Sequence, residues 1–438
     1  MVWFIKIIFL LSFLIGGMYV TYGDLNSSYY SSEKTTVVAT DYFQKLYGNN
    51  NSNYFYKGIV YNNFYYIIGG NNGMATLTKL SNTGDHIWTS QVNGTSAWND
   101  LIVNSDGNVL LIGIYGSFDG MAQSMIGVVH QSTGNFISLK SMDFSHRESL
   151  TKIYLNPSPA SSSFPYNLVG IQNDFGGAPD DISMMGINKD GNIGWRRIID
   201  SGDDDEFYRD ITPDGNNGEM LITGNRAALN NNGTTLTLDK NGAVVSGRLF
   251  NVNTTFNTIL TKQNLLGGNN HILAGKNNTS NVAQIVKVNG NAVVFSHNIN
   301  QLNTITRLYP MGLSNFIAIG YGIFSGVNRP VMVHLTDTGN TLILNWARTF
   351  NDGENQYTYG YGDIISPTKY MYTDARNGNA KGFGNMDAFI SVDSISLDNC
   401  LDQNVNVALS NTSVSFSAFN PSVTVHEHMS STNRTGSL

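Results

Sequence analysis

The apolar residues of this chain fall in short runs closed by turns rich in glycine and asparagine. No useful stretch repeats them at the 3.6-residue spacing of a helix, so the pattern predicts strands. Three anchors recur in a fixed order. One is a strand-like run ending in a tight polar turn, as in Leu80–Gly84, His130–Gly134, Ile187–Gly191, Leu238–Gly242, Val286–Gly290 and Leu335–Gly339. Those glycines are 50, 57, 51, 48 and 49 residues apart. A second anchor is an apolar strand closed by glycine at Gly69, Gly113, Gly170, Gly224, Gly275 and Gly320. Before it comes a short third run, seen at Asp100–Val103, Asp210-Ile211 and Asp363–Ile365. A fourth strand follows each tight turn, and three of these carry Trp88, Trp195 and Trp346.

Each unit therefore reads as four strands, illustrated by Leu101–Asn104, Val109–Tyr115, Met125–His130 and Phe136–Met142. Four short strands in about fifty residues, repeated, predict an all-β chain folded as a β-propeller. A seventh, degraded copy keeps Met371-Tyr372-Thr373 and Val392–Ser396 but lacks both glycines. Seven four-stranded blades are the expected count, with six and eight as the alternatives. Phe43–Gly48 resembles the fourth strand Trp346–Asn351, so the N-terminal strand is expected to complete the last blade and remove its open edge. The propeller is assigned to residues 36–403, and 404–438 to a C-terminal extension. Alternation over Val405–Val425 predicts a β-hairpin there, with Ser430–Leu438 a frayed tail.

Residues 1–23 read as a signal peptide. Met1–Lys6 carries one positive charge, Ile7–Ile15 is almost unbroken apolar, and Thr21-Tyr22-Gly23 puts small residues where a signal peptidase cuts. An uncleaved anchor is the alternative, because the apolar stretch reaches Val20. Gly16-Gly17 and the polar Thr21 favour cleavage, hence a secreted or cell-surface protein with no membrane insertion afterwards. Charged residues are only 13% of the chain and the net charge is -7. With lysine and arginine scattered, nucleic acid is excluded as a partner. The 41% hydrophobic content excludes global disorder. Cys400 has no second cysteine to pair with, so burial and hydrogen bonds must supply the stability. Nine Asn-x-Ser/Thr sequons are what 56 asparagines give by chance, so glycosylation is neither indicated nor opposed.

The order strand, strand-Gly, strand-Asp-x-x-Gly, Trp-bearing strand resembles the secreted bacterial β-propeller-repeat proteins, over roughly residues 36–400. It shares its pattern with the quinoprotein-like propellers as well, though the cofactor residues of that family do not map here. The resemblance implies architecture and a surface or secreted location, not an activity.

Catalytic signatures are missing. There is no Gly-x-Ser-x-Gly and no His-Glu-x-x-His. Asp337–Thr341 is an incomplete Asp-box, and the eleven arginines follow no spacing that marks a sialidase-type cluster. His426 and His428 read as surface histidines rather than a zinc site. Asp200–Glu206 is the densest charge and could ligate calcium, but the alternating Asp-x-Asp-x-Asp-Gly of calcium loops is absent, so a solvated loop is expected and no cofactor is assigned. A Phe-x-Gly theme at Phe118, Phe175, Phe324 and Phe383 points to packing, because recurring positions build the frame.

The expected function is a non-enzymatic surface or extracellular module that binds a protein or glycan partner, or is structural. The alternative is a carbohydrate-active hydrolase or lyase on the same scaffold. An enzyme would gather carboxylates or a Tyr/Arg cluster at the mouth of the central channel. Loops vary while the frame repeats, and such loops carry recognition. The expected binding face therefore takes Asp119, Asp180, Asp181, Arg329 and Asp387 from one loop set and Asp203, Asp204 and Asp205 from the other.

Overall fold

A computed structural model describes residues 42–48, 52–116, 122–143, 147–156, 163–173, 180–200, 206–213, 220–226, 232–239, 241–263, 269–290, 292–350, 361–366, 369–376, 387–394, 402–418, 422–425, 430–433 and 436–437. The predicted signal segment and Cys400 lie outside these residues. Among the described residues there is no helix, and none long and apolar enough to cross a membrane.

The protein is a β-propeller built from antiparallel sheets in chain order. β1 (Phe43–Tyr47) precedes the first blade, which takes β2 (Asn53–Tyr61), β3 (Phe64–Asn71), β4 (Met74–Leu80) and β5 (His86–Val92). The next takes β6 (Ser96–Val103), β7 (Val109–Tyr115), β8 (Gln123–Val129) and β9 (Phe136–Asp143). After it come β10 (Arg147–Leu155), β11 (Tyr166–Asn173), β12 (Asp180–Ile187) and β13 (Ile193–Asp200). Then follow β14 (Glu206–Pro213), β15 (Met220–Arg226), β16 (Asn232–Leu238) and β17 (Val244–Gln263). The 20-residue β17 pairs with β16 through its first part and through its second part with β18 (Asn269–Asn277), which leads to β19 (Val282–Asn289) and β20 (Ala292–Asn300). β21 (Leu302–Pro310), β22 (Asn315–Phe324), β23 (Val327–Asp337) and β24 (Leu342–Phe350) make another four-stranded unit. β25 (Tyr361–Ser366), β26 (Lys369–Arg376) and β27 (Asp387–Ser394) form the last sheet, and β1 pairs with β27 from Phe43↔Val392 to Tyr47↔Ala388.

The second anchor has a steric cause. In β2, β6, β10, β14, β17 and β21 a β-bulge interrupts the ladder opposite the glycine of the neighbouring strand. It pushes a carbonyl over that glycine. A Cβ on Gly113 would collide with the Ala97 carbonyl, and one on Gly275 with the Thr255 carbonyl. In the last sheet Tyr361 pairs with Thr373 without a bulge there, and the glycine is gone. The bulge also breaks the alternation, which is why the pattern predicts a strand from Leu101 while β6 starts at Ser96. The tight-turn glycines all adopt positive φ, for example Gly84 at 78° and Gly242 at 76°.

Each blade holds the next. Arg197 Nε donates to the Asn241 carbonyl at 2.6 Å and an Arg248 guanidinium nitrogen to the Gly290 carbonyl at 3.1 Å, both reaching a tight turn one blade on. On β1, Lys45 Nζ meets Asp85 at 2.6 Å and the Tyr47 hydroxyl donates to the Gly84 carbonyl, in the tight turn of the first blade. Apolar clusters fill the gaps between blades, as where Tyr66, Leu77 and Trp88 pack with Trp98, Leu111 and Met125.

The C-terminal extension takes another form than a hairpin. β28 (Asp402–Asn404) adds to β24, β29 (Ala408–Asn411) to β20, and β30 (Phe416–Ala418) to β17. β31 (Ser422–Val425) adds to β13, β32 (Ser430–Asn433) to β9, and β33 (Gly436–Ser437) to β5. The segment is a belt that runs backwards around the rim and gives one outermost strand after another a further partner. Alternation suits a strand on any half-buried edge, so it predicted strands but not their partners.

Candidate axial binding site

The innermost strands touch in succession: β2 with β6, then β10, β14, β17, β21 and β25, and β25 again with β2. They surround the propeller axis. Just past each bulge stands one position that faces its neighbours across this ring: Lys57, Asp100, Lys152, Asp210, Thr258 and Arg307.

These positions lock blade to blade. Lys57 Nζ pairs with Asp100, which also accepts from the Leu101 amide at 2.8 Å and from the Ile153 amide at 3.1 Å. Lys152 Nζ lies 3.1 Å from Asp210. Asp210 accepts from the Ile211 amide at 3.1 Å, the Thr258 hydroxyl at 2.8 Å and the Ile259 amide at 3.1 Å. At the bulges themselves, Asn99 Nδ2 donates to the Leu150 carbonyl at 2.6 Å and Asn257 Nδ2 to the Ile305 carbonyl at 2.9 Å. Thr373 donates to the Tyr56 carbonyl at 2.9 Å, linking the last sheet to the first.

The electrostatics follow from this packing. Burial alone would raise Asp100, but Lys57, Lys152 and Arg307 outweigh it and hold its carboxyl below the usual range. Asp210 is likewise held low, with burial opposed by Lys152, Arg307 and the bonds from Ile259 and Thr258. Both carboxylates stay ionised with both oxygens engaged. Neither has a free oxygen or a pKa matched to proton transfer near neutrality.

Two of the bulge positions carry long side chains, Tyr56 and Arg209. Burial pushes the Tyr56 phenol up, Arg307 and Arg209 partly offset this, and Asp100 adds to the rise. Tyr321 is pushed up too, by burial and then by Asp374 and Tyr56. These phenols remain protonated, suited to hydrogen bonding and not to nucleophilic attack. Arg209 is solvent-exposed by area, yet crowding depresses its guanidinium, with Tyr56 pulling the other way.

Of the residues expected at the binding face, only Asp181 and Arg329 have described side chains. Asp119, Asp203, Asp204 and Asp205 lie outside the described residues. Asp180 and Asp387 open β12 and β27, where only their backbone is described. Asp181 is half-buried opposite Gln172, and Arg329 is half-buried opposite Gly322 on another blade. Of the Phe-x-Gly motifs, the described one has Phe324 packed against a core cluster. Among the described residues no group of three or more His, Cys, Asp or Glu is placed to hold a metal ion.

No family model matches the chain, and no curated protein matches it. Solved structures similar to it include a protein of unknown function from Bacteroides caccae, 12% identical, covering 67% of this chain and 94% of that chain at a TM-score of 0.38. The tail fiber of Staphylococcus aureus phage P68 is 10% identical over 87% of this chain and 97% of that chain, with a TM-score of 0.23. A bifunctional GH43-CE protein from Bacteroides eggerthii is 11% identical over 87% of this chain and 55% of that chain, with a TM-score of 0.24.

Proposed function

We propose that this chain is an exported propeller of seven blades, closed by its N-terminal strand, that works as a non-enzymatic surface or extracellular binding module. The engagement of Asp100 and Asp210 carries the non-enzymatic reading: both serve as braces between blades, which leaves neither of them for acid or base work. Seven inner strands in succession, the β1–β27 register and the contacts of Lys45 and Tyr47 with the first tight turn support the closure. The repeat order supports kinship with the secreted β-propeller-repeat proteins.

The enzymatic alternative draws support from the Tyr56, Arg209 and Arg307 grouping, the kind of cluster a carbohydrate-active propeller would gather. Raised phenols and engaged carboxylates weigh against it. Incubating the secreted protein with a glycan array and analysing the bound sugars by mass spectrometry separates the two. Capture without cleavage is expected; release of shortened or eliminated sugars would overturn the proposal.

A further inference from the structure

We infer that Asn93, in the turn between the first and second blades, is a modification site that carries an N-linked oligosaccharide in the exported protein. This goes beyond the binding-module reading and rests on its export alone.

The fold sorts sequons that the sequence leaves equal. Among those whose side chains are described, Asn93-Gly94-Thr95 is the one with all three residues exposed. Asn232-Gly233-Thr234 and Asn253-Thr254-Thr255 run into the sheets, where Gly233, Thr234 and Thr254 are buried. Asn278 is half-buried, and its Nδ2 donates to Asn253 Oδ1 at 2.9 Å and to Thr255 Oγ1 at 3.1 Å. An asparagine amide has two N–H donors, so a sugar on that nitrogen would break one of the two bonds. Asn277 is half-buried as well, and its side-chain oxygen accepts from the Thr279 and Ser280 amides at 3.0 Å. Asn411 is exposed, but the hydroxyl of its sequon, Thr412 Oγ1, is engaged by Gln284 Nε2 at 3.1 Å and Ser296 Oγ at 2.5 Å.

The turn at Asn93 is held without that side chain. β5 ends at buried Val92 and β6 starts at buried Ser96, so Asn93, Gly94 and Thr95 alone span the gap between blades. Gly94 supplies the left-handed step, at a φ of 99°. Ser96 Oγ donates to the Gly94 carbonyl at 3.0 Å and accepts from the Ala75 amide at 3.0 Å. The Gly116 amide donates to the Thr95 carbonyl at 2.9 Å, and the Ser96 amide to the Gly73 carbonyl at 3.0 Å. None of these bonds uses the side chain of Asn93 or Thr95, so a bulky, hydrated substituent on Asn93 displaces none of them. The ladder from β6 to β7 begins at Ser96↔Tyr115, which puts the oligosaccharide at the loop end of the blade.

The step joins Asn93 Nδ2 to the anomeric carbon of an oligosaccharide carried on a lipid diphosphate, the co-reactant that an export membrane supplies. The bond from that carbon to the diphosphate oxygen breaks, and the lipid diphosphate leaves with its electron pair. One Nδ2 proton goes to solvent, and nothing is oxidised or reduced. The Thr95 hydroxyl completes the Asn-x-Thr acceptor.

The test is expression of the full chain in a eukaryotic secretory cell. The secreted protein is treated with peptide N-glycosidase in heavy-oxygen water, which turns a glycosylated asparagine into labelled aspartate, and its peptides are mapped by mass spectrometry. Label at position 93 is expected. N93Q and T95A should each lose that glycan completely and still melt like the parent, because neither side chain enters the bonds that hold the turn. N278A should keep the Asn93 glycan and melt lower, since it loses the bonds to Asn253 and Thr255. The inference falls if Asn93 is bare in the secreted protein, or if its glycan survives T95A. A second version, with a leader of the host in place of residues 1–23, separates this site from the export reading. Should only that version be secreted and carry the Asn93 glycan, the site stands and the export reading fails. Should it be secreted with Asn93 bare, the site fails whatever the chain's own leader does.

Discussion

The backbone amide of Ile259 donates to Oδ2 of Asp210 at 3.1 Å, so a carboxylate on one blade holds the inner strand of the next. Ile153 and Asp100 repeat the arrangement two blades earlier at the same 3.1 Å. Acidic side chains next to the axis of a propeller invite a catalytic reading. Here their partners are backbone amides and lysines, which makes them joints.

Breaking one joint should cost more than removing it whole. D100N leaves Lys57 as a buried, uncompensated charge, at a cost of about 3–5 kcal/mol. The double variant D100N/K57M should recover part of that loss. Urea denaturation of the two singles and the double measures the coupling, and strictly additive losses would count against the brace.

The bulge makes a second demand. G113A should destabilise by about 2–4 kcal/mol, because the new methyl must displace the Ala97 carbonyl in a ladder that cannot yield. T373A, at the corresponding place in the last sheet, keeps a Cβ that already fits and loses one bond to the Tyr56 carbonyl, about 1 kcal/mol. Equal losses at the two sites would show that no carbonyl crowds Gly113.

Much of this frame was legible in the sequence. The tight-turn glycines and the strand-closing glycines mark backbone positions that side chains cannot take, so they stand out at a near-constant period. The brace left a trace as well, in the aspartate that opens the apolar runs at Asp100 and Asp210. One ionisable residue heading an apolar strand, repeated, is a signal for buried pairing. Its partners were hidden, because Lys57 and Lys152 come from preceding blades and no local pattern joins them to Asp100 and Asp210.

Lys262 offers a test by pH. Burial lowers its ammonium to about 8, Asp337 resists that shift, and Lys287 adds to it. Between about 8 and the ordinary lysine value of about 10.4 the unfolded chain binds the extra proton, so stability should rise with pH. Equilibrium denaturation from pH 7.5 to 9, below the range where tyrosines ionise, should show that rise, and K262M should flatten it. A parent with no rise would place Lys262 in water.

The belt shields strand edges. Removing residues 402–438 uncovers the outer sides of β24, β20, β17, β13, β9 and β5. Unpaired edges recruit other chains. Sedimentation velocity on the truncated protein should show association that grows with concentration. A truncated form that sediments and melts like the full chain would mean the belt shields nothing.

The reading of the axial carboxylates as joints that hold the blades is tested most directly by urea denaturation of D210N beside R209Q. D210N should lose about 3 kcal/mol or more, since Lys152 and the Ile259 amide lose a charged partner. R209Q should stay within about 0.5 kcal/mol of the parent, as changes that remove no structural contact do. A D210N protein as stable as the parent, or an R209Q protein destabilised as much as D210N, would contradict the account.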